Sequence, residues 1–297
     1  MPMYNVKFIS KNSKYFPKNL LDLPDCPEIL FIIGNEKILN NTSVSIVGTR
    51  NSSESANKIA FDLSQKLSSA AISIVSGLAN GIDENAHQGT FNCGKTIAII
   101  ASGFNHISNS KLYLVNQIIA NGGTIISEYF PDVPPQKYSF LKRNRLIASF
   151  SRALIVVQAP SKSGSLNTAK TAKALGRTIF AVPWNIDTFR GIGCNNLIEN
   201  GARILTSHTQ VLESLNYKFT NLTNINTQDS PIPLINEITI PTEYKKLYEF
   251  IQKNEPCPKN IIYSKFSNEN IADLNSKLTL MELENLIRLQ RKYPYHK

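Results

Sequence analysis

From Val44 onward, short apolar runs alternate with helical periodicity along the chain. Val44, Ile46 and Val47 predict a buried strand that breaks at Gly48, and in Glu54–Ala70 the residues Ile59, Leu63 and Leu67 share one helical face with Ala56 and Ala60 beside them. The runs Ile72–Val75, Thr96–Ala101, Gly123–Ser127, "ALIVVQA" and "TIFAV" predict further strands. Between and after them, "GIDENAHQGT", "KLYLVNQIIA", Phe140–Ser149, "LNTAKTAKALG", "NNLIENGA" and "HTQVLESL" predict helices, the last two around a short strand "RIL". Continuously apolar strands separated by helices imply an α/β fold, a mostly parallel sheet covered on both faces, with ligands bound at the carboxyl ends of the strands.

The flanks differ from this core. Residues 1–41 are a proline-punctuated lead-in whose apolar burst, Ile29–Ile33, predicts an edge strand. Residues 42–215 form the sheet domain. Residues 216–241 are polar and aperiodic, as in a linker. Residues 242–297 predict a small helical, winged-helix-like module. In it Thr242 caps a helix whose Tyr244, Leu247, Tyr248 and Ile251 share a face, and "LTLMELENLIRLQRKYPYHK" supplies a second amphipathic helix with a basic, aromatic end.

Composition changes this picture little. The chain has 297 residues, enough for a large domain and a small one, and 42% are hydrophobic. The four cysteines, Cys26, Cys93, Cys194 and Cys257, are widely spaced with no C-x-x-C pair, as expected of reduced thiols. No leader-like start and no apolar run long enough for a membrane span is present, so a cytoplasmic protein is expected. The net charge of +10 admits nucleic acid as a partner without requiring it.

Candidate chemistry gathers at the strand ends. Gly48, Thr49 and Arg50 form a strand-to-helix turn, where unpaired backbone N–H groups and the helix dipole attract an anion. Ser76 and Gly77 end the next strand. Gly164 and Ser165, in "SKSGSLNTAK", form a second Gly/Ser turn opening a helix. Between these lies "KYSFLKRNRLIASFS", where Lys142, Arg143 and Arg145 neighbour the aromatics Tyr138 and Phe140. Cations that track a backbone and an aromatic that offers a stacking face suit single-stranded nucleic acid. Asp83 and His87, four apart, admit an acid–base reading but are read as a helix cap and a structural histidine. No Ser/His/Asp set, metal-ligand spacing or Walker lysine loop is present, so no catalytic residue, metal or cofactor is expected.

The blocks "VSIVGTRNSSE", "IVSGLANGIDENAHQGT", "TIAIIASG", "GGTIISEY", "FLKRNRLIASFS", "KSGSLNTAKTAKALGRTIFAVP" and "NNLIENGA", in this order, resemble the DprA/Smf family of DNA-processing proteins over about Tyr15–Leu205. The resemblance implies an extended Rossmann fold that binds single-stranded DNA, pairs as a homodimer and loads RecA recombinase during natural transformation. It implies Arg50 as the arginine of a G-[ST]-R turn and Lys137, Phe140, Arg143 and Arg145 as the basic-aromatic DNA-binding segment. Pairing is expected near Asn195–Leu215, with Leu197, Ile198, Val211, Leu212 and Leu215 as its apolar patch. The chain departs from the family pattern at "ASGFNHIS", at Gln158 in place of an acid and at Trp184 in place of a glycine. A second class, the lysine decarboxylase-like N-glycoside hydrolases, has a similar core. Its P-G-G-x-G-T-x-x-E loop has "PSKSGSLNTAKTAK" as its counterpart, with Lys170 and Lys173 and no acid.

Overall fold

The computed structural model describes residues 4–215, 244–253, 259–267 and 270–283. Strands β1 (Lys7–Ser10), β2 (Ile29–Gly34), β3 (Ser43–Val47), β4 (Ser73–Ser76), β5 (Thr96–Ile99), β6 (Thr124–Ser127), β7 (Ala153–Val156), β8 (Thr178–Ala181) and β9 (Arg203–Ile204) make one sheet. Its order is β1-β2-β6-β5-β4-β3-β7-β8-β9. The β6-to-β9 stretch is parallel throughout, whereas β1–β2 and β2–β6 are antiparallel. This is the expected α/β architecture, a mostly parallel Rossmann-like sheet with helices.

β3 to β7 are buried along their whole length, yet β3 to β6 each carry small hydroxyls that must find acceptors. They find backbone carbonyls: Ser45 donates to Ile147, Thr96 to Ile74, Thr124 to Asn35 and Ser127 to Ser102. Helices α1 (Glu54–Ser69), α2 (Ile82–Gln88), α3 (Asn109–Ala120), α4 (Lys137–Phe150), α5 (Gly164–Ala174), α6 (Ile192–Glu199) and α7 (His208–Ser214) cover the two faces. Strand alternation divides the core between them. Ile46, Ile74 and Ile155 pack with α1, α2 and α7 residues, and Val47, Val75, Leu154 and Val156 pack with those of α4 and α5.

The lead-in is corrected. β2 is an internal strand and β1 is the edge, because the unbroken run ILFII suits pairing on both sides better than an exposed rim. Residues 1–41 therefore share a sheet with the domain that follows, and the compact unit runs Met1–Asn221. The residues of the expected pairing patch divide between the two core clusters. Val211 and Leu212 are buried with Leu215 against them, and Leu197 and Ile198 pack onto the other core cluster.

The second unit, Leu222–Lys297, shows α8 (Lys245–Lys253), α9 (Lys259–Lys265) and α10 (Ile271–Leu283). Tyr244, Leu247, Ile251, Ile262, Leu274, Leu278 and Met281 form its core, with Tyr248 packed against them. Among the described residues this unit has no strand. The expected linker 216–241, the Thr242 cap and the basic end after residue 283 lie outside the described residues. No described helix is long and apolar enough to cross a membrane.

Candidate nucleic-acid interface

β3 has β4 on one side and β7 on the other, so the chain reverses direction across the sheet at β3. Such a switch point opens a crevice at the carboxyl ends of the strands. Here it is a cavity of about 320 Å³ lined by Gly48–Asn51, Ala79, Asn144 and Lys162–Ser165. A second cavity, of about 280 Å³, lies over the ends of β4 and β5, lined by Leu78–Asn80, Ile100–Ser102, His106 and Lys111. Arg50, Ala79 and Arg143 line both cavities.

The loop that carries Arg50 is held at both ends by Gln158. The Thr49 N–H donates to the Gln158 carbonyl at 2.7 Å, and the Ser53 N–H donates to its Oε1 at 2.9 Å. Gln158 Nε2 donates in turn to Ser53 Oγ at 3.0 Å. That hydroxyl also caps α1 by accepting from the Ala56 N–H. Gly48 has no room for a side chain, since a Cβ there would lie 2.5 Å from Ile82 and 2.9 Å from the Gln158 carbonyl. Within this fixed loop Arg50 is exposed, and its guanidinium sits 5.1 Å from the centroid of the Phe140 ring. Phe140, near the start of α4, keeps 37% of its surface exposed.

The other expected site residues divide. Lys137 is exposed. Lys142 is half-exposed, 3.8 Å from Glu128 and over the Tyr129 ring. Gly164 is exposed at the start of α5, and Ser165 is buried with its hydroxyl 2.7 Å from that of Ser163. Arg143 is not an exposed cation. It is only 4% exposed and donates through Nη1 to the carbonyls of Gly77 and Ile99. Arg145 is also turned away, paired with Glu128 at 2.6 Å and Asp25 at 2.9 Å. Ser76 is buried and donates to the Ile46 carbonyl at 2.6 Å. Gly77 is buried as well, its N–H donating to Asp83 Oδ2 at 3.0 Å. Arg143, Ser76 and Gly77 are scaffold beneath the crevices, where the parallel strands end in backbone groups that need partners in a buried place, and Arg145 is taken up by its two carboxylates.

Asp83 also accepts from the Ala79 N–H. Burial raises its pKa, against the opposing charge of Arg143. Burial likewise pulls the Arg143 pKa down to about 10, with Asp83 opposing the fall and Arg50 adding to it. His87 faces elsewhere, its Nδ1 2.7 Å from Thr96 Oγ1, and burial, then Lys111 and Arg143, push its pKa down to about 3. Three contributors escaped the sequence reading. Lys162 lines the first crevice from within the Gly/Ser turn, and Asn144 donates to the Gly164 carbonyl at 3.3 Å. Lys111, on α3, reaches the second cavity while paired with Glu84 at 2.6 Å, and nothing in its local sequence signals that.

Fold and crevice together define a doubly wound α/β protein whose switch point offers a cation and an aromatic face where a nucleotide fold would place a glycine-rich phosphate loop. The profile of the DNA recombination-mediator protein A family matches residues 7–216, and the chain belongs to that family. It is 37% identical to the DNA processing protein DprA of Streptococcus pneumoniae over 203 residues, 68% of this chain and 72% of that one. It is also 37% identical to protein Smf of Synechocystis over 216 residues, 71% of this chain, and spans about half (54%) of that relative's length. The solved S. pneumoniae DprA superposes with a TM-score of 0.66 at 36% identity, covering 70% of this chain and 74% of that one. DNA processing protein A of Helicobacter pylori, whose structure is described for its single-stranded DNA binding mode, superposes with a TM-score of 0.65 at 30% identity. It covers 72% of this chain and 97% of its own.

Proposed function

We propose that the chain is a single-stranded DNA-binding recombination mediator of the bacterial cytoplasm. In this reading it receives incoming DNA at the strand-end crevices, pairs with a second copy and loads RecA recombinase. The observation that carries the DNA-binding step is the Arg50–Phe140 pair, a cation and a half-exposed ring held together over two open crevices. Arg50 is the phosphate contact, its charge added to the backbone N–H groups of its turn. Phe140 is the stacking face, Lys137 and Lys142 are flanking cations, and Gly164 with Ser165 forms the second cradle. The single-stranded DNA named for the H. pylori protein supports the choice of ligand.

The hydrolase reading is the weaker one. Counting the P-G-G-x-G-T-x-x-E spacing from Gly164 places Thr168 where the glutamate would stand, and Thr168 lines the crevice with its hydroxyl 3.4 Å from the Gly164 carbonyl. Lys170 and Lys173 line a different groove, beside Leu197 and Arg203.

Salt titrations with single-stranded oligonucleotides test the assignment. Arg50→Ala is expected to weaken binding to every sequence and to reduce the salt slope by about 0.7 for each phosphate the arginine had neutralised. Phe140→Ala is expected to cost about 1–3 kcal/mol of affinity with the slope nearly unchanged. Folded variants that both bind like the parent would refute the site.

A further inference from the structure

A second exposed aromatic stands at the same end of the sheet. β8 pairs with β7, and β7 with β3, in a register that sets Val47, Val156 and Ala181 level. Loops that leave β3, β7 and β8 therefore emerge along one edge. Strands in a sheet lie about 4.8 Å apart, so the ends of β3 and β8 are separated by about 10 Å, the length of about three stacked bases at about 3.4 Å each.

The loop after β8 carries Ile186 (85% exposed), Phe189 (68% exposed) and the exposed Arg190. Large apolar side chains left in water on a fixed loop call for an explanation. This loop is fixed. The Trp184 indole N–H donates to the Val157 carbonyl at 2.8 Å. Asn195 accepts from the Trp184 N–H at 3.0 Å and donates to its carbonyl at 2.9 Å. Gly191 lies against the Trp184 side chain, where a Cβ would come within 2.3 Å. The Gly193 N–H donates to the Ala159 carbonyl at 2.8 Å, next to Pro160 on the wall of the first crevice. The loop is thus tied to the rim of the crevice through the start of α6, and it exposes a ring and a guanidinium at adjacent positions in the chain.

We propose that Phe189 and Arg190 form a second base-stacking and phosphate-contacting station, which extends the single-strand track from Phe140 past the Gly164 turn to the end of β8. The inference rests on the single-strand reading above. The ligand is an unpaired nucleic-acid strand long enough to pass both rings, and the station reads no base identity because every base offers a face to stack.

The test compares labelled oligothymidylates of about 2 and about 12 nucleotides, the shorter too short to bridge the two rings and so filling one station, the longer reaching both. Phe189→Ala in the full chain is expected to weaken the longer ligand about tenfold and leave the shorter one unchanged, because stacking on one ring is removed. Phe189→Trp should restore binding, and Phe189→Glu, which adds charge repulsion, should weaken the longer ligand further. Melting temperatures should match the parent, since the ring is exposed. Arg50→Ala should weaken both lengths. If Phe189→Ala binds both ligands like the parent, or weakens both equally, the second station is refuted while the single-strand reading stands. A parent chain that binds neither oligonucleotide overturns that reading and this inference with it.

Discussion

Arg50 holds its guanidinium in solvent against the Phe140 ring, whereas Arg143, three residues further along the chain from that ring, turns its own inward to the carbonyls of Gly77 and Ile99. The sequence offers both as cations in a basic-aromatic setting. What separates them is whether the fold leaves backbone carbonyls unpaired within reach. His87 shows the same logic with a titratable ring. The Thr96 hydroxyl donates to the Ile74 carbonyl at 2.9 Å, so it accepts from His87 Nδ1–H, and Nε2 is left buried without a partner. A proton there would be a buried charge, which is why the pKa falls to about 3. The unfolded chain, with a histidine near pH 6.5, binds that proton more readily. Stability attributable to His87 is therefore fully present above about pH 6.5 and declines as pH falls toward 3, by up to about 1.4 kcal/mol per pH unit. Urea denaturation between pH 7 and 5, above most carboxylate titrations, is expected to show this decline in the parent and a flatter profile in His87→Gln.

At the scale of elements, one glutamine joins the end of β7 to both ends of the Arg50 loop. Gln158→Leu keeps the volume and removes the side-chain partners, leaving the Ser53 N–H unsatisfied. It is expected to cost about 1–3 kcal/mol in stability and to weaken single-strand binding through a loosened turn, with faster amide exchange at Ser53 as the specific sign. The elements themselves were largely legible. Each continuously apolar run became a strand, because strands covered on both faces need no polar alternation. α4 begins at Lys137, ahead of the expected Phe140, because Gln136 and Ser139 cap it reciprocally, a variant of the Ser/Thr-first capping box that sequence patterns emphasise. The internal place of β2 was not legible, since a strand's neighbours are decided by partners far along the chain. The same holds for Arg145, whose carboxylates lie on β6's exit and in the lead-in. The Arg50–Phe140 pair was legible as two groups and not as a contact.

The whole molecule divides at Asn221 into two compact units, and every proposed DNA contact falls in the first. A chain ending at residue 221 is expected to unfold in one cooperative transition and to bind single-stranded DNA with the affinity of the full chain. A large drop in affinity would assign part of the binding to the second unit. The net charge of +10 adds attraction at a distance. Arg143 ties α4 to the ends of β4 and β5, so the Phe140 ring and the Arg50 turn stand ready before any strand arrives. On the proposed single-strand reading, no local folding delays the encounter, and arrival and departure come under separate control. Long-range charge sets how quickly a strand lands, a rate that salt slows, while the rings set how long it stays. A mediator built this way can catch a strand quickly and still surrender it base by base, because each stacked base is released on its own.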